Sequence, residues 1–332
     1  MGRISIAFCG FAVALGLASV AGAARQDGSL SIVAYSTPRT VYGKIIQAWQ
    51  QTPEGKGVSF TQSYAASTDQ ARAVAAGLKA DLVFLSTGDD VNLLVDAGLV
   101  DPNWDKQSYR GIEADTVVVF AVRNGNPKHI KSWADLVKPG VQVITPNPFS
   151  SGSAKWNILA AYGAQRRLGK SDAQAQAYVK TLFQHVVSQD TSGRNATNTF
   201  MAGKGDVLLT YESEALASRA AGTDIQYVIP RQTMLIELPI AVIKNSSNKE
   251  LAQKFVRFTK GPVAQDLFGQ SGWRPVLPAV AKKYASKYPA RPGVFKIGDR
   301  IFGGWRAVDK KWFTPTGVMT KIERAIGGPT SG

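Results

Sequence analysis

The chain has 332 residues, 44% of them hydrophobic and 19% charged, which is enough for two cores of ordinary globular composition. Its only cysteine is Cys9, so from residue 10 onward there is no thiol for a disulfide, a thiolate nucleophile or a cysteine-based metal site. The formal net charge is +15, but Lys and Arg are scattered among apolar stretches in no dense block or aromatic-interleaved groove, so nucleic acid is not an expected partner.

Arg3, the apolar run from Ile4 to Val20 and the small residues Ala21-Gly22-Ala23 follow the order of a secretory signal peptide. Residues 1–23 are therefore expected to be removed by cleavage near Ala23. Cys9 lies inside the run and not at its end, so no lipid anchor is expected, and no later stretch is long and apolar enough to suggest a membrane span.

Leu30 to Tyr35 reads as a buried strand, and Ser36-Thr37-Pro38 signals a helix running to about Gln51. A strand over Val58–Gln62, a loop over Ser63–Thr68 and a helix over Asp69–Leu78 follow, then a strand at Asp81–Leu85 and a helix at Gly88–Gly98. Strands and helices joined by short connections predict parallel βαβ units, hence an α/β fold. Thr116–Val122 is a further β-branched run, with a turn at Gly125–Pro127 and a short helix near Trp133. The strand Val141–Thr145 leads to a long helix over Ser151–Leu168. Helices are expected at Ala173–His185 and Thr197–Ala202, and a strand at Asp206–Tyr211. Strands at Tyr227–Pro230 and Leu235–Ile243 and helices at Lys249–Phe258 and Pro262–Phe268 complete the pattern. No linker separates the two α/β units, so the chain is expected to cross between them more than once.

The stretch VITPNPFSSGSAKWN, from Val143 to Asn157, holds a strand end, a Pro-Asn-Pro turn and the helix start Ser151-Gly152-Ser153. Small residues there let the backbone approach a ligand. The first helical N–H groups have no partner within the helix and sit at the positive end of its dipole, which favours an anion. The stretch contains no carboxylate, histidine or cysteine, which argues against proton transfer or metal ligation. Small hydroxyl or glycine residues recur at the helix starts Ser36-Thr37, Ser67-Thr68 and Ser192-Gly193. In α/β sheets such loops gather beyond the carboxyl ends of the strands.

Other motifs carry less. Gly203-Lys204-Gly205-Asp206 lacks the phosphate-loop frame and reads as a turn. His129 and His185 have no triad-like partners. Glu212 and Glu214, flanking Ser213, are expected to cap a helix or face solvent. Ser151 lacks the nucleophile elbow of serine hydrolases.

VITPNPFSSGSAKWNILAAYG from Val143, TNTF from Thr197, GDVLLTYESEA from Gly205 and IFGGW from Ile301 resemble the periplasmic sulfate-binding proteins of ABC importers, over about Leu30 to Trp312. The resemblance implies a two-lobed periplasmic binding protein of type II, with a ligand cleft between the lobes. Lobe 1 would comprise 24–115 and 225–332, the latter including a C-terminal segment, and lobe 2 would comprise 116–224. It implies a dehydrated sulfate or thiosulfate held by uncharged donors: backbone N–H at Ser36, then Ser67, Ser151, Gly152, Ser153, the N–H of Gly193, and the side chain of Tyr211. Arg194 would support the Gly193 loop from behind. The family usually has an acidic residue at Ser36, a glycine at Ser153 and a tryptophan at Tyr211. The first two contacts are from backbone. The third exchanges a donor-only indole for a hydroxyl that also accepts.

The expectation is a monomeric periplasmic protein without catalytic residues, metal or cofactor, which delivers the anion to a membrane permease. The alternatives are another tetrahedral oxyanion, such as molybdate, tungstate or phosphate, and a secreted hydrolase using Ser151.

Overall fold

The structure is a computed structural model that describes residue 2 and residues 28–332; the expected signal peptide lies outside the described residues. The N-terminal units are β1 (Ser29–Tyr35), α1 (Arg39–Gln50), β2 (Ser59–Ala65), α2 (Ser67–Ala75), β3 (Leu82–Phe84) and α3 (Gly88–Asp96). The middle comprises β4 (Ile112–Arg123), β5 (Val143–Pro146), α4 (Gly152–Arg167), α5 (Asp172–Gln184), β6 (Val186–Asp190), α6 (Gly193–Met201), β7 (Val207–Tyr211) and α7 (Glu212–Ala220). Then come β8 (Ile225–Val228), β9 (Thr233–Val242), α8 (Lys249–Thr259), α9 (Pro262–Gln270), β10 (Arg274–Pro275), α10 (Pro278–Lys283), β11 (Val294–Phe295), α11 (Trp305–Trp312) and α12 (Val318–Ile326).

The main strand order is β2-β1-β3-β9-β4-β7-β5-β6. At one end β1 pairs in parallel with β2 and β3; at the other β5 pairs in parallel with β6 and β7, as alternating strands and helices require. Between the two parallel groups lies an antiparallel pair that belongs to both. The front of β4 pairs with β9 from Ile112↔Pro239 to Val117↔Leu235, and its rear pairs with β7 and β8. The far end of β9 pairs with β3. Two α/β halves are thus joined by strands and not by a flexible linker.

Several boundaries differ from the sequence reading. Ser63–Ala65 continue β2, because they stay in register with Val33–Tyr35, and α2 starts at Ser67. Ser67 and Thr68 therefore sit in the first helical turn instead of preceding it. Helix α6 starts four residues before Thr197, since the Ser192 hydroxyl accepts from the Asn195 N–H and caps it there. The strand β6 and the helix α7 were not foreseen.

Helix α4 is buried over every residue from Gly152 to Gln165. A helix apolar on only one face could not be covered so fully; here the C-terminal segment covers the remainder. Trp305 stands edge-on to Trp156 with ring centroids 4.7 Å apart. Phe295 and Phe302 press on Gly163, where a Cβ would come within 2.4 Å of the Phe295 ring. Helix α11 packs on α3 and α12 on α5, so this segment touches both halves.

Candidate functional site

Six strands, three from each parallel group and running in opposite senses, hand over within a few residues to a helix: β1 to α1, β2 to α2, β3 to α3, β5 to α4, β6 to α6 and β7 to α7. Their loops enclose a cavity of about 10 Å³, room for about one water molecule. The lining includes Ser36, Ser67, Ser151, Gly152, Ser153 and Gly193, so six of the seven predicted contact positions come together. Tyr35, Thr37, Ala66, Ser86 and Ser192 complete the wall, and no charged side chain is among them.

Glycine at two positions allows the closeness. A Cβ on Gly152 would lie 2.8 Å from both Cβ and Oγ of Ser86, across the cleft, and one on Gly193 would lie 2.8 Å from the Ser153 hydroxyl. At Gly152 a methyl group could not be placed without moving Ser86, whereas at Gly193 the Ser153 hydroxyl would have to turn away.

The hydroxyls differ in what they can offer. Ser151 is the N-cap of α4 but its side chain makes no capping bond; Oγ lies 2.9 Å from that of Ser153 and is free to turn inward. Ser67 is committed elsewhere, donating its hydroxyl to Asp90 at 2.5 Å and accepting from the Ser86 N–H at 2.8 Å. Ser67 can therefore present its backbone N–H, not its side chain, to a ligand. Tyr211 is not part of the cavity wall. Its hydroxyl lies 2.6 Å from Ser86 Oγ, and Ser86 stands between it and the cavity. Burial holds the Tyr211 hydroxyl well above its ordinary pKa, so it keeps its proton at neutral pH.

Charges lie behind this neutral surface. Arg194 reaches Thr37 O at 3.3 Å and pairs with the buried Glu214 at 3.1 Å. Glu214 and Glu212 are both 1% exposed, which corrects the solvent-facing expectation; Glu212 accepts from Arg274 at 2.8 Å. Lys155, in the first turns of α4, is buried and pairs with Asp89 and Asp90 of α3. Burial pushes the Asp89 carboxyl up to about 6, with Lys155 opposing and Asp90 adding to the rise. Asp90 in turn accepts from Ser67 and Thr68. The ion cluster thus fixes the α2 start while staying outside the cavity. Among the described residues no group of three or more His, Cys, Asp or Glu could hold a metal ion.

The halves are closed on each other around the cavity. Thr68 N–H donates to Ser150 O at 3.1 Å and the Trp156 indole donates to Ser86 O at 2.7 Å. Ser86 is the site residue that sequence reasoning missed. Leu85-Ser86-Thr87-Gly88 has the same small-hydroxyl pattern at a strand end as the four loops singled out, so the signal was present.

Residues 30–274 match the family described as bacterial extracellular solute-binding protein. The chain belongs to this family. Within it, a sulfate-binding protein of Salmonella typhimurium is 37% identical, covering 90% of this chain and 94% of its own. A thiosulfate-binding protein of Pseudomonas aeruginosa is 33% identical over 93% of this chain and 96% of its own. The solved structure of the sulfate-binding protein SubI from Mycobacterium tuberculosis superposes with a TM-score of 0.83 at 45% identity, covering 85% of this chain and 98% of its own. The resemblance drawn from Val143–Gly163 and its companion stretches is borne out, and the fold is the two-lobed type II form of periplasmic binding proteins. Among the described residues no helix is long and apolar enough to cross a membrane.

Proposed function

We propose that this solute-binding protein captures sulfate or thiosulfate among the loops that line this cavity, which part to admit it, and delivers it to an ABC permease, without transforming it. The observation that carries the reading is a cavity walled by hydroxyls and helix-start N–H groups with no charged side chain. Sulfate is a full dianion at neutral pH and offers only acceptors, which such a wall satisfies with charge-assisted hydrogen bonds. Sulfate- and thiosulfate-binding relatives at 33–37% identity support the same ligand class. Ser151 has the Ser153 hydroxyl for a partner and no titratable base lines the cavity, so hydrolysis finds no support. The Ser86–Tyr211 hydroxyl pair, which can accept as well as donate, favours hydrogen phosphate as the oxyanion most able to compete.

The lobes divide near the expected 24–115 with 225–332, and 116–224, except that β8 pairs with the rear of β4 and goes with the second lobe, and they close over the anion. The protein acts as a monomer in the periplasm after loss of residues 1–23. Calorimetric titration of ligand-free mature protein with sulfate, thiosulfate, molybdate, tungstate and phosphate tests the reading. Sulfate or thiosulfate should bind tightest. A panel in which none binds saturably would overturn it. Ser151→Ala should weaken binding by about 1.5–3 kcal/mol, the worth of a hydrogen bond to a charged group.

A further inference from the structure

An unexplained cavity lies beside the oxyanion site, between α1 and the Gln270–Trp273 turn on one side and Arg194 and α7 on the other. It encloses about 570 Å³, within the roughly 300–1,000 Å³ of small-molecule sites. We infer that it is a second ligand site, for a small organic anion with an acceptor-only headgroup and a short apolar body.

Its charge is one-sided. Lys44, Arg194 and Lys287 line it and no carboxylate does. Lys44 is exposed and makes no salt bridge among the described residues. Lys287 is held at the rim by donating to the Gly269 and Gln270 carbonyls, both at 3.0 Å. Glu214 is taken up by Arg194 and Glu212 by Arg274, and neither is part of the wall.

The buried Thr37 and Trp273 side chains line the cavity and lie within hydrogen-bonding reach of the Tyr35 hydroxyl, so these three polar groups serve one another. The three cations, with no carboxylate in the wall, call for an acceptor-rich, negatively charged group. The rest of the wall is Val41, Leu216, Ala217, Ala220 and Ala221 with the Trp273 side chain. An inorganic oxyanion would leave that surface wet, whereas a short alkyl or aryl body would cover it.

The site adjoins the inner cavity and shares Thr37 with it, but Lys44, Leu216 and Ala220 belong to it alone, so p-toluenesulfonate serves as probe, titrated into mature protein with and without saturating sulfate and followed by calorimetry. Saturable one-to-one binding that persists in saturating sulfate is expected. Ala220→Trp, at an exposed position, fills the mouth and should weaken the probe by about tenfold. Lys44→Ala should weaken it by about two- to fivefold, as loss of one solvent-exposed charge does. Both variants should keep wild-type circular dichroism and wild-type sulfate affinity. No saturable binding, displacement of the probe by sulfate, or an Ala220→Trp variant that binds it as well as wild type would overturn the assignment.

Discussion

Tyr211→Phe removes a hydroxyl that meets the cavity only through Ser86. The two oxygens are 2.6 Å apart, and Ser86, not Tyr211, forms part of the cavity wall. With a dianion bound, the favourable arrangement has Tyr211 donating to Ser86 Oγ and Ser86 donating to the anion. Tyr211→Phe then leaves the charge-assisted bond in place and removes only a neutral bond behind it, worth about 0.5–1.5 kcal/mol. Ser86→Ala removes the bond to the anion itself and should cost about 1.5–3 kcal/mol. A direct contact, which the sequence suggested, would put the larger loss on Tyr211. Calorimetric titration of both single variants and the double variant with sulfate and with hydrogen phosphate separates the two cases. The double variant should fall short of the sum of the singles, because the Tyr211 term acts through Ser86. Hydrogen phosphate should lose more than sulfate in Tyr211→Phe, since the pair can no longer rearrange to accept its proton. A Tyr211→Phe loss for sulfate equal to or larger than that of Ser86→Ala would refute the relay.

Gly152→Ala places a Cβ 2.8 Å from Ser86 and should weaken sulfate by about 1–3 kcal/mol with little change in thermal stability, read by titration and melting. Lys155→Met strands Asp89 and Asp90 without their cation and should cost about 3–5 kcal/mol of stability in urea unfolding at pH 8. At pH 5 the loss should be smaller, because Asp89, whose carboxyl burial already pushes up to about 6, takes a proton there. Glu113 is fully buried and accepts from the Tyr42 hydroxyl at 2.6 Å; burial pushes its carboxyl from the ordinary 4.5 up to about 7. Its contribution to stability is complete below about pH 4.5 and is lost as pH rises through 7. Glu113→Gln should remove that slope and raise stability at pH 8 by roughly 3 kcal/mol, by unfolding at both pH values.

Most of the site was legible because its chemistry is local. Ser151-Gly152-Ser153 and Ser192-Gly193 each follow a strand and start a helix within a few residues, so hydroxyl, glycine and free N–H announce themselves together. What depends on a partner far along the chain was not. The Ser86–Tyr211 contact joins residues 125 apart, and nothing near Tyr211 says that its hydroxyl is already engaged. Glu212 and Glu214 looked like surface acids because their partners, Arg274 and Arg194, lie on other elements. The same limit applies to the fold. Parallel units could be read from alternating strands and helices, but the apolar run that became β9 carries no mark of its neighbours, and it pairs with β3 and β4 in antiparallel fashion.

The position of β9 bears on how the chain is made. It is fourth in the sheet's main order yet follows seven of those eight strands in sequence. A chain growing from its N-terminus has β3 and β4 long before residue 242, and each then lacks the neighbour that joins them. Until β9 arrives the two parallel groups are separate fragments with open edges, and pairing across more than a hundred residues is intrinsically slow. Completion of the sheet therefore waits on synthesis of most of the polypeptide. For a protein that we propose is exported, that delay keeps the translating chain unfolded over the interval in which it must be threaded across a membrane.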